Sequence, residues 1–311
     1  MHLYRLFALS LWIAGCSPLL APRLASPPHP RPSHLDVTLG ENLESSSYPT
    51  VALLKFDYKG QPYTFCSGVL VSQQEILTAA HCSLDKNNQS YSPPEVRVAL
   101  GQSKPDSPGT RLEMVQDINV HAQFDRRKLL PDAEGLLRPD ATYDVAIWTL
   151  AAPAAPSFMP PPLLEAETLT QVFVDHRALI LMGFGLSSVW DTMNQAQLRT
   201  AVTFFQKEAV VTLQKKVMVD GRPLKKNYSY TIQGQGEFEF YAGGEGLPDT
   251  CKGDSGGPVF VRDTGGRSWL LGLTSRGDVS CSKGGIYTLL TSHLDWLRAH
   301  ISQLEVGSPS L

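Results

Sequence analysis

The residues best suited to chemistry in this chain are a serine and a histidine that lie far apart. Ser255 lies within residues 251–259, which read CKGDSGGPV, and glycines at this density let the backbone turn tightly and approach another group closely. Serine is a weak nucleophile alone and needs a neighbouring base, most often histidine. Among eight histidines, His81 ends an apolar strand pattern, LTAAHC, beside Cys82. These residues predict nucleophilic catalysis, against the alternative of an ordinary serine in a glycine-rich turn.

A histidine that becomes charged during a reaction needs a carboxylate to hold its tautomer and stabilise the imidazolium. Asp144 precedes the apolar run VAIWTL, so its carboxylate is carried to the edge of a core, where an unpaired charge is costly. Asp140 and Asp132 are alternatives in the looser segment 131–141, and Asp144 could simply begin a strand. Asp144 is the preferred candidate.

These side chains must be positioned by strands, because short apolar runs separated by Gly, Pro, Asn and Asp clusters fill the chain from Val51 onward. This pattern is typical of an all-β barrel or sandwich. The proline-rich stretch 153–162 cannot belong to a central strand and is the candidate linker between two halves. Helical spacing appears only near the C-terminus, after Thr291 or Ser292 as N-cap. Its apolar positions are Leu294, Leu297, Ile301 and Leu304.

Composition describes a globular chain without a nucleic-acid surface. The 311 residues carry a formal net charge of −3 and no run of Lys or Arg, so there is no electrostatic case for binding nucleic acid. Lys225 and Lys226 form only a local basic pair, which we interpret as part of a solvated loop.

The N-terminus has the layout of an export signal. Residues 1–16 have a short start with Arg5, an apolar run too short to span a bilayer, and small residues before Cys16. The final IAGC resembles the bacterial lipobox, in which the cysteine is lipidated, whereas an ordinary signal peptide is the alternative. Six prolines within 17–34 predict an extended spacer, so 17–36 is interpreted as a tether or propeptide.

Five cysteines make an odd count. If Cys16 is lipidated, the four within the folded region can pair, with three possible connectivities, in an oxidising compartment. We therefore expect an exported bacterial protein, either secreted or held at the cell envelope by a lipid on Cys16.

The motifs TAAHC, DVAIWTL and GDSGGPV, in the chain order His, Asp, Ser, resemble those of the chymotrypsin/trypsin family of serine proteases over roughly residues 37–305. The resemblance implies two six-stranded antiparallel β-barrels, about 37–155 and about 156–290, with the active site between them and a C-terminal helix at about 291–304. It further implies an endopeptidase for protein or peptide substrates. We expect a monomer without a cofactor. No metal is expected, and a calcium site in particular is not, because Gln102 lies about where calcium-binding members carry a glutamate.

The same resemblance gives each motif residue a role. It implies that Ser255 is the nucleophile, that His81 is the general base and then acid, and that Asp144 orients His81. The backbone N–H groups of Gly253 and Ser255 would form the oxyanion hole. The four cysteines of the folded region would pair as the family's do: Cys66–Cys82 and Cys251–Cys281.

Substrate preference also follows from the resemblance. In trypsin-like members an aspartate six residues before the serine lies at the base of the S1 pocket, and here that residue is Asp249. Gly277 and Gly285 match the two glycines that leave such a pocket open. The resulting hypothesis is cleavage after Arg or Lys, and a solvated loop aspartate is the alternative.

Two features depart from the family's pattern. Arg276 stands where an aromatic residue is usual, and its cation could favour acidic groups at a neighbouring subsite, with Lys252 as a second positive charge near the pocket. The alternative is that both are simply exposed and only lower the affinity for strongly basic peptides. The family's new N-terminus, which pairs with the aspartate before the nucleophile, corresponds to Val37 and Asp254. Because Asp36 precedes Val37, trypsin-like enzymes are not expected to cleave there.

A catalytically silent relative that binds a protein is the alternative from another functional class. Silent members usually lose a triad residue or the glycine before the Asp-Ser pair, and His81, Asp144, Gly253 and Ser255 are all present. The residues therefore favour an enzyme.

Overall fold

The computed structural model describes residues 41–43, 48–58, 61–104, 110–131, 142–187, 197–219 and 222–311. The proposed signal and tether, with Cys16 and Val37, lie outside these ranges, as do the alternative carboxylates Asp132 and Asp140. Within these ranges no helix combines the length and apolar character needed to cross a bilayer.

Strands dominate the described residues. They are β1 (Glu41–Asn42), β2 (Val51–Tyr58), β3 (Gln61–Leu70), β4 (Glu75–Thr78), β5 (Val96–Ala99), β6 (Leu112–Val120), β7 (Ala146–Leu150), β8 (Leu163–Leu164), β9 (Ala178–Gly183), β10 (Arg199–Phe204), β11 (Glu208–Val219), β12 (Arg222–Gln233), β13 (Glu239–Ala242), β14 (Pro258–Arg262), β15 (Ser268–Gly277), β16 (Gly285–Leu289) and β17 (Val306–Gly307). The α-helices are α1 (Leu169–Val174) and α2 (Leu294–His300), and the 3-10 turns are Ala80–Ser83, Pro93–Glu95, Arg126–Leu129, Ala166–Thr168 and Leu290–His293.

The first half of the chain forms a closed six-stranded antiparallel barrel in the order β2-β3-β4-β7-β6-β5. Apolar side chains from its strands fill the interior, and Trp148 of β7 is fully buried there. A buried indole N–H needs an acceptor, and that of Trp148 donates to Ser83 Oγ at 2.8 Å. This bond ties β7 to the 3-10 turn that carries His81.

The second half forms a sheet in the order β1-β10-β9-β14-β15-β16-β13. A bridge between Phe205 and Ala242 joins the chain just beyond β10 to β13, so the six strands from β10 to β13 curve back on themselves. The prediction of an all-β fold with a C-terminal helix is confirmed. The stretch 153–162 carries the chain from β7 to β8 without a strand of its own.

Two boundaries differ from the expected ones. β1 lies within the range assigned to the first barrel but pairs with β10 of the second sheet. The C-terminal α-helix spans seven residues, because a 3-10 turn occupies 290–293 and Ile301 is already extended, with φ −117° and ψ 112°. The apolar spacing begins with the helix at Leu294 and continues beyond its C-terminal end, to Ile301 and Leu304.

A long hairpin, β11–β12, forms a two-stranded sheet of its own. Each strand has twelve residues, and Lys225 and Lys226, interpreted above as a solvated loop, lie within β12. The hydrophobic pattern did not reveal these strands, because polar residues dominate their exposed positions.

A buried ion pair lies where the loop before β7 meets the second sheet. The Arg276 guanidinium on β15 donates to both carboxylate oxygens of Glu239 on β13, at 2.6 and 2.9 Å. Both side chains are less than one-tenth exposed, and the Thr142 hydroxyl donates to the same carboxylate at 2.5 Å. Burial opposes the charge of Arg276, but the Glu239 carboxylate outweighs this effect and raises the Arg276 pKa.

Replacing one member of this pair should leave the other as an uncompensated buried charge. We expect Glu239→Gln, made in a Ser255→Ala background to prevent autolysis, to lower the free energy of unfolding by about 3–5 kcal/mol. Urea denaturation with intact disulfides measures the change.

Two controls separate burial from loss of charge. Adding Arg276→Met to Glu239→Gln should restore most of the stability, because no unpaired charge is left. Glu305→Gln, which breaks a half-exposed pair with Arg267, should cost less than about 1 kcal/mol. Equal effects of Glu239→Gln and Glu305→Gln would contradict the assignment.

Candidate active site

The predicted histidine and aspartate meet between the two halves of the fold. His81 lies in the 3-10 turn Ala80–Ser83, and its Nδ1 lies 2.8 Å from Asp144 Oδ2. The His81 backbone N–H donates to Asp144 Oδ1 at 2.9 Å. One carboxylate thus fixes both the ring and the main chain of His81, leaving Nε2 to face another group.

Asp144 is fully buried, and its charge is kept by hydrogen bonds. Burial alone would raise its pKa, but the His81 charge and hydrogen bonds from His81 and Ser275 outweigh burial and hold the pKa below its usual value. The Ser275 hydroxyl donates to Oδ2 at 2.6 Å. Ser275 was not predicted as part of this site, because it lies in an apolar strand and nothing local marks its direction.

The main chain of Ser255 packs against β3, next to Cys66. Its carbonyl oxygen accepts from Ser67 N at 2.8 Å and lies 3.6 Å from Cys82 Sγ, the residue after His81. The next residue must be glycine: Gly256 has φ +78°, and a Cβ there would lie 2.1 Å from Thr78 Oγ1. Gly256 therefore permits close approach between the two halves of the fold.

A hydrogen bond to the carbonyl of Lys252 fixes the orientation of the peptide between Lys252 and Gly253. Lys252 O accepts from Leu186 N at 2.8 Å, and in a planar trans peptide the N–H of Gly253 points the opposite way. Ser67 Oγ fixes the other side of Gly253 by donating to its carbonyl at 2.9 Å. Within the described residues the N–H groups of Gly253 and Ser255 donate to no protein group, so both are available to an external oxygen.

Asp254 points away from Ser255 into the second barrel. Its two oxygens accept from Gly185 N and Cys251 N, both at 2.8 Å. Gly183 and Gly185 make room for it, since a Cβ at either would lie within 2.5 Å of the carboxylate. Burial raises the Asp254 pKa to about 6, although the Arg199 charge acts in the opposite direction. Such a carboxylate would be stabilised by a cation.

Ser255 opens onto a cleft of about 340 Å³ lined by Thr250, Gly277 and residues of β11, among others. Asp249, which directly precedes Thr250 in the sequence, does not line the cleft. Its side chain is fully buried. Its oxygens accept from Thr250 N at 2.7 Å and Gly284 N at 2.9 Å. Burial is the main cause that raises the Asp249 pKa to about 7.

The two predicted pocket glycines face each other. Gly277 and Gly285 are paired in the register of β15 and β16. A Cβ on Gly285 would lie 2.8 Å from the Tyr287 hydroxyl and 3.1 Å from Thr250 Oγ1, so a side chain there would intrude beside Thr250. Gly277 and Gly285 therefore lie close to Thr250, the residue that follows Asp249.

Arg276 lines the cleft, but its guanidinium is paired with Glu239. Its guanidinium is 8% exposed and bound to Glu239, and the pair reaches the site through Nη1, 3.3 Å from Ser275 Oγ. The sequence interpretation missed Glu239, which lies 37 residues away and is brought close only by the pairing of β13 and β15 with β16. Lys252 is exposed and lines the cleft.

Both disulfides implied by the resemblance are formed, Cys66–Cys82 and Cys251–Cys281. In the described part of the chain, the cluster with metal-ligand spacing consists of Cys66, His81 and Cys82. Its two sulfurs are bonded to each other, so this donor set does not suit a metal ion. The site instead offers His81 as an acid–base group and Ser255 as a candidate nucleophile.

Comparison with known proteins agrees with this geometry. The family model described as Trypsin matches residues 38–297. The chain is 30% identical over 251 residues to Serine protease 41 from Homo sapiens, covering 76% of this chain and 69% of that protein.

Two further relatives are more distant. Coagulation factor IX from Cavia porcellus is 27% identical, with 83% of this chain and 79% of that protein covered. Serine protease grass from Drosophila melanogaster is 24% identical, with 84% of this chain covered, and the chain spans 66% of its length. The chain belongs to the trypsin family of serine proteases.

Proposed function

We propose that this protein is an active serine endopeptidase that cleaves through an acyl-enzyme on Ser255. The observation that carries the proposal is the 2.8 Å contact between His81 Nδ1 and the buried Asp144 carboxylate, with the main chain of Ser255 close to Cys82, the residue after His81, and the N–H groups of Gly253 and Ser255 donating to no group within the described residues. In this role Asp144 orients His81, and Gly253 and Ser255 supply the oxyanion hole.

The reaction divides into acylation and deacylation. Ser255 Oγ attacks the carbonyl carbon of the scissile bond while His81 Nε2 takes the hydroxyl proton, which it then gives to the leaving amine as the C–N bond breaks. Water next attacks the ester, His81 takes its proton, and Ser255 recovers that proton as the ester C–O bond breaks. Negative charge develops on the carbonyl oxygen in both halves, where the two N–H groups would stabilise it.

We further propose cleavage after Arg or Lys. Asp249 supplies a carboxylate beside Thr250 of the cleft wall, and Gly277 and Gly285 add no side chains there. Because water is excluded from Asp249, a guanidinium or ammonium would be a favourable partner once the carboxyl ionises.

We further propose how the protein is activated and where it is located. A new N-terminus at Val37 would supply the cation that stabilises Asp254, through a protease that accepts Asp36 before the cleaved bond. Otherwise, Asp254 is stabilised without cleavage. The signal peptide exports the protein, and a lipid on Cys16 would hold it at the cell envelope until cleavage releases the 37–305 domain.

A fluorophosphonate probe tests the enzyme function directly. We expect the probe to label the wild-type protein and not Ser255→Ala, because only an activated serine displaces the fluoride. Ser67→Ala is unsuitable as a control because its hydroxyl holds Gly253, so the exposed Ser280→Ala serves and should label fully.

Sequencing the N-terminus of the labelled protein identifies the active form. A start at Val37 supports activation by cleavage, and an intact start at Cys16 with full labelling would contradict it. A wild-type protein that never labels, even after cleavage at Val37, would favour the binding-only alternative.

The pKa of Asp249 predicts a pH-dependent specificity. A carboxyl with a pKa of about 7 is mostly neutral at pH 6 and mostly charged at pH 8. The ratio of kcat/KM for an Arg ester to that for a Leu ester with the same leaving group should therefore rise about tenfold over this range, and His81 cancels from the ratio.

Two variants test the origin of this rise. Asp249→Ser should lower the ratio by the equivalent of roughly 3 kcal/mol or more and make it independent of pH. Asp278→Asn removes a cleft-lining carboxylate that also raises the Asp249 pKa, so it should keep the rise but move it to lower pH. A flat ratio in the wild-type enzyme would refute the role of Asp249.

A further inference from the structure

The hairpin β11–β12 is fixed at its base to the cleft that contains Ser255. Leu213 and Gln214 of β11 line that cleft. Thr212 N donates to Asp278 Oδ2 and Thr212 O accepts from Val279 N, both at 3.0 Å. Val211, Leu213 and Ile232 are buried together at this base. A ligand in the cleft would therefore meet the hairpin.

The outer half of the hairpin is strongly basic. Residues 215–226 contain five cations and one carboxylate, a formal charge of +4 within a chain whose total is −3. Lys216, Arg222, Lys225 and Lys226 are exposed, and none of them forms an ion pair within the described residues. Positive charge is thus concentrated on one projecting element.

The strand register places like charges directly opposite each other. Lys215 is paired with Lys226, and Lys216 with Lys225. Directly opposed like charges destabilise a strand pair, so the hairpin keeps an arrangement that is unfavourable in the free protein. Because side chains alternate between the faces of a strand, the two pairs project from opposite faces of the hairpin. Lys215 Nζ donates to Pro131 O at 2.6 Å, so an anionic ligand would relieve the repulsion chiefly by bridging Lys216 and Lys225.

Exposed apolar side chains flank the basic residues. Met218 is 68%, Val219 47% and Leu224 54% exposed.

From Leu213 in the cleft to Val219 the strand covers six residues, roughly 20 Å. The basic surface therefore lies within reach of the same polypeptide that occupies the cleft.

We propose that this outer surface, residues 215–219 and 222–226, is an exosite that binds an acidic segment of the protein substrate, several residues from the scissile bond. The inference rests on the proposed function and deepens it by naming a second recognition feature of the substrate. Continuity with the cleft favours a polypeptide over an anionic membrane as the occupant. Its effect would be on capture of the substrate, hence on kcat/KM and its salt dependence.

Matched peptides test the exosite. The first is a tripeptide anilide ending in Arg, too short to reach the outer half of the hairpin. Two longer peptides add an eight-residue Gly/Ser linker and either four Glu or four Gln, and a second pair carries the same tails on the C-terminal side of a scissile Arg bond. We expect the wild-type protein at low salt to prefer a Glu tail to the Gln tail by about tenfold, in one of the two orientations, and to lose this preference as salt rises.

Two triple variants separate a local site from overall charge. Lys216→Gln, Lys225→Gln and Lys226→Gln should abolish the preference while leaving hydrolysis of the short anilide unchanged, which also shows that the variant is folded. Lys86→Gln, Lys283→Gln and Arg298→Gln remove the same charge elsewhere on the surface and should keep the preference.

The failure of the exosite can be told from the failure of the enzyme. If no peptide is cleaved, the proposed function fails, but fluorescence anisotropy of the Glu-tailed and Gln-tailed peptides with the Ser255→Ala protein still measures the exosite. Equal binding or cleavage of both tails overturns it, as does equal loss in both triple variants. Binding to phosphatidylglycerol vesicles that the hairpin variant loses, without any preference for Glu tails, would instead assign the surface to a membrane.

Discussion

The structure depends on one buried negative charge, the carboxylate of Asp144. Removing a carboxylate from water is costly, and it is tolerated here because His81 and Ser275 surround it with donors from the 3-10 turn and from β15. His81 comes from the first barrel and Ser275 from the second, so the site exists only when both halves are folded and packed together. The Trp148 to Ser83 bond and the paired Arg276 and Glu239 brace the two sides.

Three buried aspartates, Asp144, Asp249 and Asp254, differ in pKa because they differ in the groups that bind their carboxylates. Asp144 has a charged or chargeable partner in His81, and its pKa is lowered despite complete burial. Asp249 and Asp254 are equally buried but accept from backbone N–H groups, and their pKa values rise to about 7 and about 6. In the proposed function both receive a cation from outside the described fold, one from the substrate and one from a new N-terminus. In that proposal, the two pKa values are raised because each carboxylate is buried before its cation has bound.

Motifs revealed the parts of the site that are local in sequence, and missed those that are not. Ser255, His81 and Asp144 were predicted because each lies in a distinctive short segment, and the all-β class followed from short apolar runs bounded by turn residues. Glu239, Ser275 and the hairpin were not predicted. Glu239 and Ser275 depend on pairing between strands distant in the chain, and the hairpin exposes polar side chains that obscure its period. Arg276 was interpreted either as a cation that favours acidic groups at a neighbouring subsite or as an exposed residue, but its guanidinium is buried and paired with Glu239.

The hydrogen bond from His81 Nδ1 to Asp144 is the central element of this account, and its proton can be observed directly. In ¹⁵N-histidine-labelled Ser255→Ala protein, the account predicts a proton resonance far downfield of the backbone amides and coupled to a histidine Nδ1, because the proton is shared with a buried carboxylate. The resonance should vanish in Asp144→Asn and persist in His121→Gln. Its absence from the parent protein, or its survival in Asp144→Asn, would contradict the assigned role of Asp144.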